Sequence, residues 1–333
     1  MTAPPTLIRT GPRNAITDVA GLLVGQAEDA GQMTGVSVVL FAEPAVAGVD
    51  VRGGAPGTRE TDLLAPDATV QGVDALVLSG GSAFGLSAMD GVMRWLVARG
   101  RGYPVGASRV PIVPGAILFD LNVGEKPWRD GSAPAPHAEM GRLACIASGF
   151  DVAQGRVGAA AGARTAQGWG GMGTASMALP DGTHVGALVA VNAHGSVRAS
   201  ADGAFWAAPF EIGAEFGGLG APPPLAALDP DVKGAWVPEG GGANTTIAIV
   251  ATDARLTKPQ ATRLATMAQD GIARAILPAH APQDGDTVFA AATGQRPLGE
   301  DANAFTRLGH AGAACLSRAI ARAVWTSAAE TET

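Results

Sequence analysis

The sequence of 333 residues contains few cysteines and few charged residues, and each shortage excludes a class of protein. Two cysteines, Cys145 and Cys315, are too few for a disulfide scaffold or a four-cysteine zinc site. Both lie in apolar helical patterns, which predicts buried, reduced thiols. Charged residues make up 16% of the chain and its formal net charge is -7, so the clustered basic surface of a nucleic-acid-binding protein is not expected.

Long apolar runs and metal-binding patterns are missing as well. No apolar run reaches the ~18 residues that a membrane-spanning helix requires, and the N-terminal residues lack the apolar region of a signal peptide. The five histidines show no spacing typical of a metal site. We therefore expect a cytoplasmic protein that needs no metal or cofactor and that binds neither nucleic acid nor membranes.

Apolar residues and glycine are abundant instead. Apolar residues make up 47% of the chain, and its 47 glycines lie scattered among them, which indicates tight turns and closely packed backbone. Short apolar runs alternate with longer runs of helical spacing, so we predict a mixed α/β protein. The candidate strands are residues 21–24, 35–41, 73–78, 184–191, 245–251 and 287–292, and the candidate helices are residues 84–98, 259–277 and 303–325.

Two long segments between these elements are predicted to be irregular. Residues 122–138 are rich in glycine, proline and charge, and residues 213–242 contain GGLGAPPP and end in PEGGG. A stretch of thirty residues without regular structure is uncommon inside a compact domain. The second segment is therefore either a linker between domains or a functional segment.

The end of this second segment carries the clearest chemistry. Its glycines stop at Asn244, and a buried-looking strand begins at Thr245. Glycines let the backbone bend, so the threonine hydroxyl can attack the carbonyl before it, and hydrolysis of the resulting ester frees Thr245 as a new N-terminus. Its α-amine, with an unperturbed pKa of about 8, can then act as the base for its own hydroxyl. On residue types alone, a turn that enters a strand remains the alternative.

A resemblance to a known family bears on this choice. Residues 244–254 resemble the processing site of the P1 family of self-processing amidohydrolases and aminopeptidases, which includes DmpA-type aminopeptidases, β-peptidyl aminopeptidases and nylon-oligomer hydrolases. Further blocks that are similar to this family, in the same order, are residues 14–25, 78–86, 111–121 and 284–290. Five ordered blocks are far more specific than one, so the resemblance favours the self-cleaving site over the turn.

The resemblance implies both a fold and a cleavage. The expected fold is the four-layer α-β-β-α sandwich of this family, which is related to N-terminal-nucleophile hydrolases. Residues 1–333 would form a single catalytic domain, cut at the Asn244–Thr245 bond into an α fragment of residues 1–244 and a β fragment of residues 245–333. Thr245 would be the nucleophile, and the Asn-Thr junction is the form found in the nylon-oligomer hydrolase branch.

The resemblance also assigns catalytic roles to Asn192, Asp284 and Asp286. Asn192 ends a candidate strand and would donate its amide to a developing oxyanion, a contribution typically worth ~3 kcal/mol. The two aspartates would orient the Thr245 ammonium and handle protons. The alternatives are a turn asparagine at a strand end and an Asp-Gly turn that enters a strand.

Two further candidates have weaker support. Ser82 follows two glycines ahead of a helix, where the turn either presents N–H groups to substrate or an oxyanion or serves packing alone. Relatives often carry a lysine in the glycine-rich stretch that is residues 158–171 here, but no lysine occurs between residues 127 and 232. Gln167 or Arg164 is the candidate for that place. This departure puts in doubt any mechanism that needs a lysine there.

We therefore predict a self-processing N-terminal-threonine amidohydrolase whose substrates are small peptides, amino-acid amides or ω-amino-acid oligomers. The resemblance implies a homo-oligomer, a tetramer of processed heterodimers. One competing hypothesis is a self-cleaving acyltransferase on a similar fold, as in the ornithine acetyltransferases. Another is an unprocessed small-molecule-binding protein that uses the turn at Gly80 and Gly81.

Overall fold

The computed structural model describes residues 9–200, 203–225, 231–233 and 244–330. The glycine run at residues 240–242 lies outside the described residues, as do residues 226–230 and 234–239 of the predicted irregular segment. The described ranges hold thirteen strands and four α-helices. The strands are β1 Leu22–Asp29, β2 Thr34–Val51, β3 Thr58–Arg59, β4 Val73–Ser79, β5 Tyr103–Val105, β6 Ser108–Val110, β7 Gly115–Ile117, β8 Arg164–Thr165, β9 Gly168–Trp169, β10 Gly171–Ala178, β11 His184–Asn192, β12 Thr245–Ala254 and β13 Thr287–Arg296. The helices are α1 Ala88–Val97, α2 His137–Ile146, α3 Lys258–Ala275 and α4 Ala304–Ala329.

One long strand, β2, joins the two halves of the main sheet. The strand order is β10-β11-β12-β13-β2-β4-β7-β3, and β1 pairs with the first part of β2. The pairing of β2 with β4 shifts register between Leu40 and Ala45. Residues before this irregularity pair with β1 and β4, whereas residues 46–51 pair with β13. Because β2 bends at this point, the two halves of the sheet can pack face to face.

The inner faces of the two halves share one apolar core. Val39 and Leu76 from one half pack in the same cluster as Leu188, Ile247 and Phe289 from the other. Side chains alternate along a strand, so the residues between them point to the outer faces. Both faces of β12 are buried, which explains why its central residues 247–251 are all apolar.

Helices cover both outer faces. Helices α3 and α4 pack on β11, β12 and β13 through residues such as Leu264 and Leu316. Helices α1 and α2 pack on β2 and β4 through residues such as Met89 and Ala144. The predicted four-layer α-β-β-α arrangement is therefore confirmed. Among the described residues, no helix is long and apolar enough to cross a membrane.

The helix ends show which local signals were informative. Helix α3 begins after Thr257, which caps the helix in a capping box with Gln260, as its N-cap position predicts. Residues 82–87 form a 3₁₀ helix and α1 starts only at Ala88, so the predicted start at residue 84 was wrong. Both cysteines are buried and reduced, and burial raises the pKa of each thiol to about 12.

Several elements contradict or escape the sequence prediction, namely helix α2, strand β10 and the short strands β3 and β5–β9. The segment 122–138 contains a 3₁₀ helix at Pro127–Asp130, and α2 begins at His137, so it is not irregular throughout. Strand β10 was not predicted because glycine, alanine and serine fill most of it. A Cβ atom at Gly173 would collide with the carbonyl oxygen of Ala319 in α4. Close packing of α4 on this strand therefore explains the small residues that hid it.

Candidate active site

Sheet topology brings three separate segments to one edge. Strands β11 and β12 are antiparallel neighbours, and Asn192 pairs directly with Thr245. Strand β13 runs parallel to β12, so the turn that leads into β13 lies beside the start of β12. Asn244 forms a bridge with Asp284 in that turn. All four side chains are buried.

The Asn244–Thr245 peptide lies between a hydroxyl group and a backbone donor. The Thr245 hydroxyl donates a hydrogen bond to the carbonyl oxygen of Asn244. The backbone N–H of Gly285 donates to the same oxygen at 2.8 Å. A Cβ atom at position 285 would lie 2.7 Å from Thr245 Oγ1, so the approach requires glycine there. An internal hydroxyl beside a polarised carbonyl is the arrangement that an N-to-O acyl shift needs.

The protonation of Asp284 is perturbed by its surroundings. Its Oδ1 accepts from the backbone N–H of His194 at 3.2 Å, and its Oδ2 accepts from that of Ala281 at 2.9 Å. Burial, and then the charge of Asp286, raise the pKa of this carboxyl to about 6. The carboxyl therefore changes charge close to neutral pH.

Asp286 has a different set of partners. Its Oδ1 accepts from the backbone N–H of Thr246 at 2.8 Å. Its Oδ2 accepts from the backbone N–H of His280 at 3.1 Å and lies 2.9 Å from the Nδ1 atom of the same residue. The carboxylate thus ties the start of β12 to the turn before β13. The two aspartates are not equivalent: both accept from backbone N–H groups, but only Asp286 also contacts an imidazole, that of His280.

Both ends of the Asn192 amide are held. Its Nδ2 donates to the carbonyl oxygen of Phe119 at 2.9 Å. Its Oδ1 accepts from the backbone N–H of Arg164 and from Lys233 Nζ, each at 2.9 Å. The pKa of Lys233 is lowered to about 7, mainly by burial. The charge of Asp284 opposes this shift, and the charge of Arg164 adds to it. A lysine therefore lies at this site, although residues 158–171 contain none.

His194 contacts the residue that precedes Thr245. Its Nδ1 lies 3.1 Å from the side-chain Nδ2 of Asn244. An amide nitrogen can only donate, so the imidazole Nδ1 accepts and is unprotonated in this contact. Burial and the charge of Lys233 lower the pKa of His194, which favours this neutral form.

Ser82 binds the residue next to the one that Asn192 contacts. Its backbone N–H donates to the carbonyl oxygen of Leu118 at 2.9 Å, next to the Phe119 carbonyl that Asn192 contacts. Its φ of 52° is in the left-handed region, and Gly81 before it donates to Asp120 Oδ1 at 3.0 Å. No hydrogen bond from Ser82 to Thr245 exists in the described part of the chain.

Gln167 binds the segment that contains Lys233. Its Nε2 donates to Asp231 Oδ2 at 3.2 Å, and its Oε1 accepts from the backbone N–H of Arg198 at 3.3 Å. It therefore does not reach Thr245 by a hydrogen bond within the described ranges. Those ranges also contain no cluster of three or more His, Cys, Asp or Glu residues that could hold a metal ion.

Sequence reasoning missed both Lys233 and His194 as residues of this site. Lys233 lies in a segment of glycine and proline without periodicity, and its contact with Asn192 joins residues 41 positions apart. No local signal reports such a contact. The only hint was that the chain has three lysines, of which Lys233 is the one ahead of the glycine run.

Comparisons with known proteins identify the family of the chain. Residues 14–333 match the sequence profile of Peptidase family S58. An uncharacterised aminopeptidase of Mycobacterium bovis is 46% identical over 330 residues, which cover 92% of each chain. A 6-aminohexanoate-oligomer endohydrolase of Kocuria sp. is 28% identical over 299 residues, which cover 87% of this chain and 78% of the relative.

A solved structure has the same fold. The structure of the L-aminopeptidase D-Ala-esterase/amidase of Ochrobactrum anthropi, described as a variant of the Ntn hydrolase fold, matches with a TM-score of 0.68 at 23% identity. The match covers 96% of this chain and 88% of that chain. The profile, the relatives and the fold confirm the predicted resemblance and the predicted enzyme class: the chain belongs to peptidase family S58 and is a hydrolase that acts on peptide or amide bonds.

Proposed function

We propose that this hydrolase cuts its own Asn244–Thr245 bond and then uses Thr245 as an N-terminal nucleophile. Its substrates would be small peptides, amino-acid amides or ω-amino-acid oligomers, hydrolysed through an acyl-Thr245 intermediate. The observation that carries the proposal is the contact of the Thr245 hydroxyl with the Asn244 carbonyl, on which Gly285 also donates.

Self-processing begins with attack of Thr245 Oγ1 on the carbonyl carbon of Asn244. The carbonyl oxygen gains negative charge, which the Gly285 N–H stabilises. The C–N bond breaks, the Thr245 nitrogen takes up the hydroxyl proton, and the Asn244 acyl group remains as an ester on Oγ1. Water hydrolyses this ester, which yields the Asn244 carboxylate and the free Thr245 hydroxyl and amine.

Both products belong to one catalytic domain in this proposal. Strand β11 precedes the bond and β12 follows it, yet the two strands are paired along their length. Cleavage would therefore leave residues 1–244 and 245–333 joined by the sheet. We also propose that processed heterodimers assemble into a tetramer, which native mass spectrometry of the processed protein tests. The cytoplasmic location stays a prediction.

Turnover uses the new α-amine. It takes the proton of Thr245 Oγ1 as this oxygen attacks the substrate carbonyl. Asn192 Nδ2 donates to the oxyanion, and the Asp284 carboxylate orients the Thr245 ammonium until the proton passes to the leaving amine. Water then attacks the acyl ester, and the same amine serves as base. Asp286 keeps the first residues of β12 in place through the Thr246 N–H.

The relatives support the substrate class. The relative with 46% identity is named an aminopeptidase, and one with 28% identity is named a 6-aminohexanoate-oligomer endohydrolase. Both names describe cleavage of amide bonds in short chains. A panel of amino-acid amides, dipeptides and 6-aminohexanoate oligomers covers this class, and added amine acceptors would reveal acyl transfer instead of hydrolysis.

The decisive experiment is the intact mass of the purified protein under denaturing conditions. We expect the wild-type chain to yield two fragments, the smaller beginning at Thr245. Thr245→Ala should stay whole, and Thr245→Ser, which keeps the hydroxyl, should still be cut. A wild-type chain that stays whole after long incubation, or a Thr245→Ala chain cut at the same bond, would overturn the proposal. The first outcome would favour an unprocessed binding protein.

A further inference from the structure

The three lysines differ in how their ammonium groups are used. An ammonium group has three N–H donors. Lys126 and Lys258 each donate to three backbone carbonyl oxygens, which are those of Gln32, Met33 and Val123 for the first and of Leu63, Ala68 and Val70 for the second. Within the described residues, Lys233 donates to only two acceptors, the Arg164 carbonyl at 3.0 Å and Asn192 Oδ1 at 2.9 Å. It alone binds a side chain of the candidate site.

The contact fixes which way the Asn192 amide faces. Two donors, Lys233 Nζ and the backbone N–H of Arg164, approach Oδ1. A flipped amide would turn its NH₂ group towards both donors and lose these bonds. Nδ2 therefore stays on the opposite side, where one N–H is bound to Phe119. The second N–H has no partner among the described residues, so it can donate to a ligand.

Lys233 also holds its own segment against the site. Its backbone N–H donates to the carbonyl oxygen of His194 at 2.6 Å, two residues after Asn192. Backbone and side chain of one residue thus bind on both sides of Asn192. A charged donor on an amide oxygen also polarises the amide and strengthens the bond that its N–H makes.

We propose that Lys233 is a positioning residue that fixes and polarises the Asn192 amide for donation to the oxyanion. The role falls to a lysine just ahead of the processing site rather than to one within residues 158–171. This inference rests on the proposed function, because it assumes that Asn192 binds the oxyanion of an acyl-Thr245 reaction.

The charges around Lys233 make the proposal testable by pH. Asp284 raises its pKa, Arg164 lowers it, and His194 is close enough to feel the ammonium charge. Because burial leaves the pKa of Lys233 at about 7, the ammonium is lost as the pH rises above that value. The hydrogen bond to Asn192 then loses its charge assistance, so kcat should fall on the alkaline side.

The test compares Lys233→Met, Lys233→Arg and Arg164→Gln in the full-length, processed protein. We expect Lys233→Met to lower kcat roughly 10- to 100-fold with little change in KM and to remove the alkaline fall near pH 7. Lys233→Arg keeps the charge and should recover most of kcat without that fall. Arg164→Gln removes a charge that lowers the pKa of Lys233, so the fall should move to higher pH.

The matched control is Arg109→Gln, which removes one positive charge from the exposed β5–β6 hairpin and should change nothing. An unchanged kcat in Lys233→Met would overturn the proposal. So would a lower kcat with the wild-type pH profile, since loss of packing alone produces that result. If the wild-type chain is cut at Thr245 and turns over, these outcomes refute the role of Lys233 and leave the proposed function intact.

Discussion

The two halves of the molecule each hold a lysine near an aspartate, but the two clusters are built differently. In the half covered by α1 and α2, Lys126 Nζ lies 3.7 Å from Asp120 Oδ1, and both side chains are almost fully buried. At the candidate site, Lys233 forms no direct ion pair with a described residue and senses Asp284 through its charge. The first lysine is bound mainly to backbone, whereas the second binds Asn192.

The difference in partners indicates a structural role for Lys126, in contrast to the role in the reaction that we propose for Lys233. All three N–H donors of Lys126 are used, and they hold the backbone of Gln32 and Met33 to the backbone of Val123. Asp120 beside it accepts from the backbone N–H of Gly81 and directly follows Phe119, whose carbonyl binds Asn192. The buried cluster thus fixes the backbone that contacts Asn192. Burial perturbs protonation in both clusters: it raises the pKa of Asp120 and lowers that of Lys126, just as it raises the pKa of Asp284 and lowers that of Lys233. Only in the second cluster does the lysine bind a side chain of the candidate site.

The largest expected effect is on stability and belongs to the first cluster. Lys126→Met leaves Asp120 buried without its cation and three carbonyl oxygens without a donor, so we expect a loss of about 3–5 kcal/mol in unfolding free energy. Lys233→Met removes a donor from one backbone carbonyl and should cost less than about 1 kcal/mol. Urea denaturation measures both. Equal losses would erase the contrast between the two lysines.

The next effect is on turnover and belongs to the second cluster. Asn192→Ala removes the proposed oxyanion donor, so we expect kcat to fall by about 10²–10³. Stability should fall far less than in Lys126→Met, because Lys233 and the Arg164 N–H lie at the rim of the site. Kinetics of the processed protein, normalised to the amount of N-terminal threonine, gives the first value. A fall of less than about fivefold would remove Asn192 from the oxyanion site.

Sequence alone predicted the parts of this site that lie in one continuous pattern. The apolar run after Thr245 predicts a strand that is buried on both faces. In the structure, β12 has helices on one face and the other half of the sheet on the opposite face. The resemblance added the four-layer fold. The cap of α3 at Thr257 is equally local and was predicted for the same reason.

The remaining parts depend on contacts between distant segments. Asp284 approaches Asn244 because β13 lies parallel to β12. The sequence of either strand alone does not predict that the two strands are neighbours. Lys233 approaches Asn192 from an aperiodic segment, so neither spacing nor hydropathy reports it. Helix α2 was missed because its apolar stripe is weak: its buried face is made mainly of small residues, among them Gly141 and Ala144.

A smaller effect should separate self-processing from turnover. His194 contacts Asn244, which becomes the end of the other fragment after cleavage. We expect His194→Ala to slow the appearance of the two fragments about tenfold, the value of one lost hydrogen bond, and to reduce turnover per N-terminal threonine far less. Time courses of intact mass beside kinetics measure the two rates. Equal losses in both would mean that His194 acts on Thr245 itself.

The same contact predicts how self-processing depends on pH. Asn244 Nδ2 can donate to His194 only while Nδ1 is unprotonated. Burial lowers the pKa of His194, so the contact persists below the ordinary pKa of histidine and is lost only in more acidic solution. Self-processing should therefore slow at acidic pH in the wild type. In His194→Ala this part of the pH dependence should vanish.

The smallest expected effect is a shift in a pH profile. The charge of Asp286 helps to raise the pKa of Asp284 to about 6, so Asp286→Asn should let that pKa fall towards its ordinary value. Asp284 would then stay ionised in more acidic solution, and the acidic fall of kcat should move to lower pH. Asp301→Asn, an exposed carboxylate with no contact to the site, is the control. An unmoved fall in Asp286→Asn would mean that another group controls the acidic side.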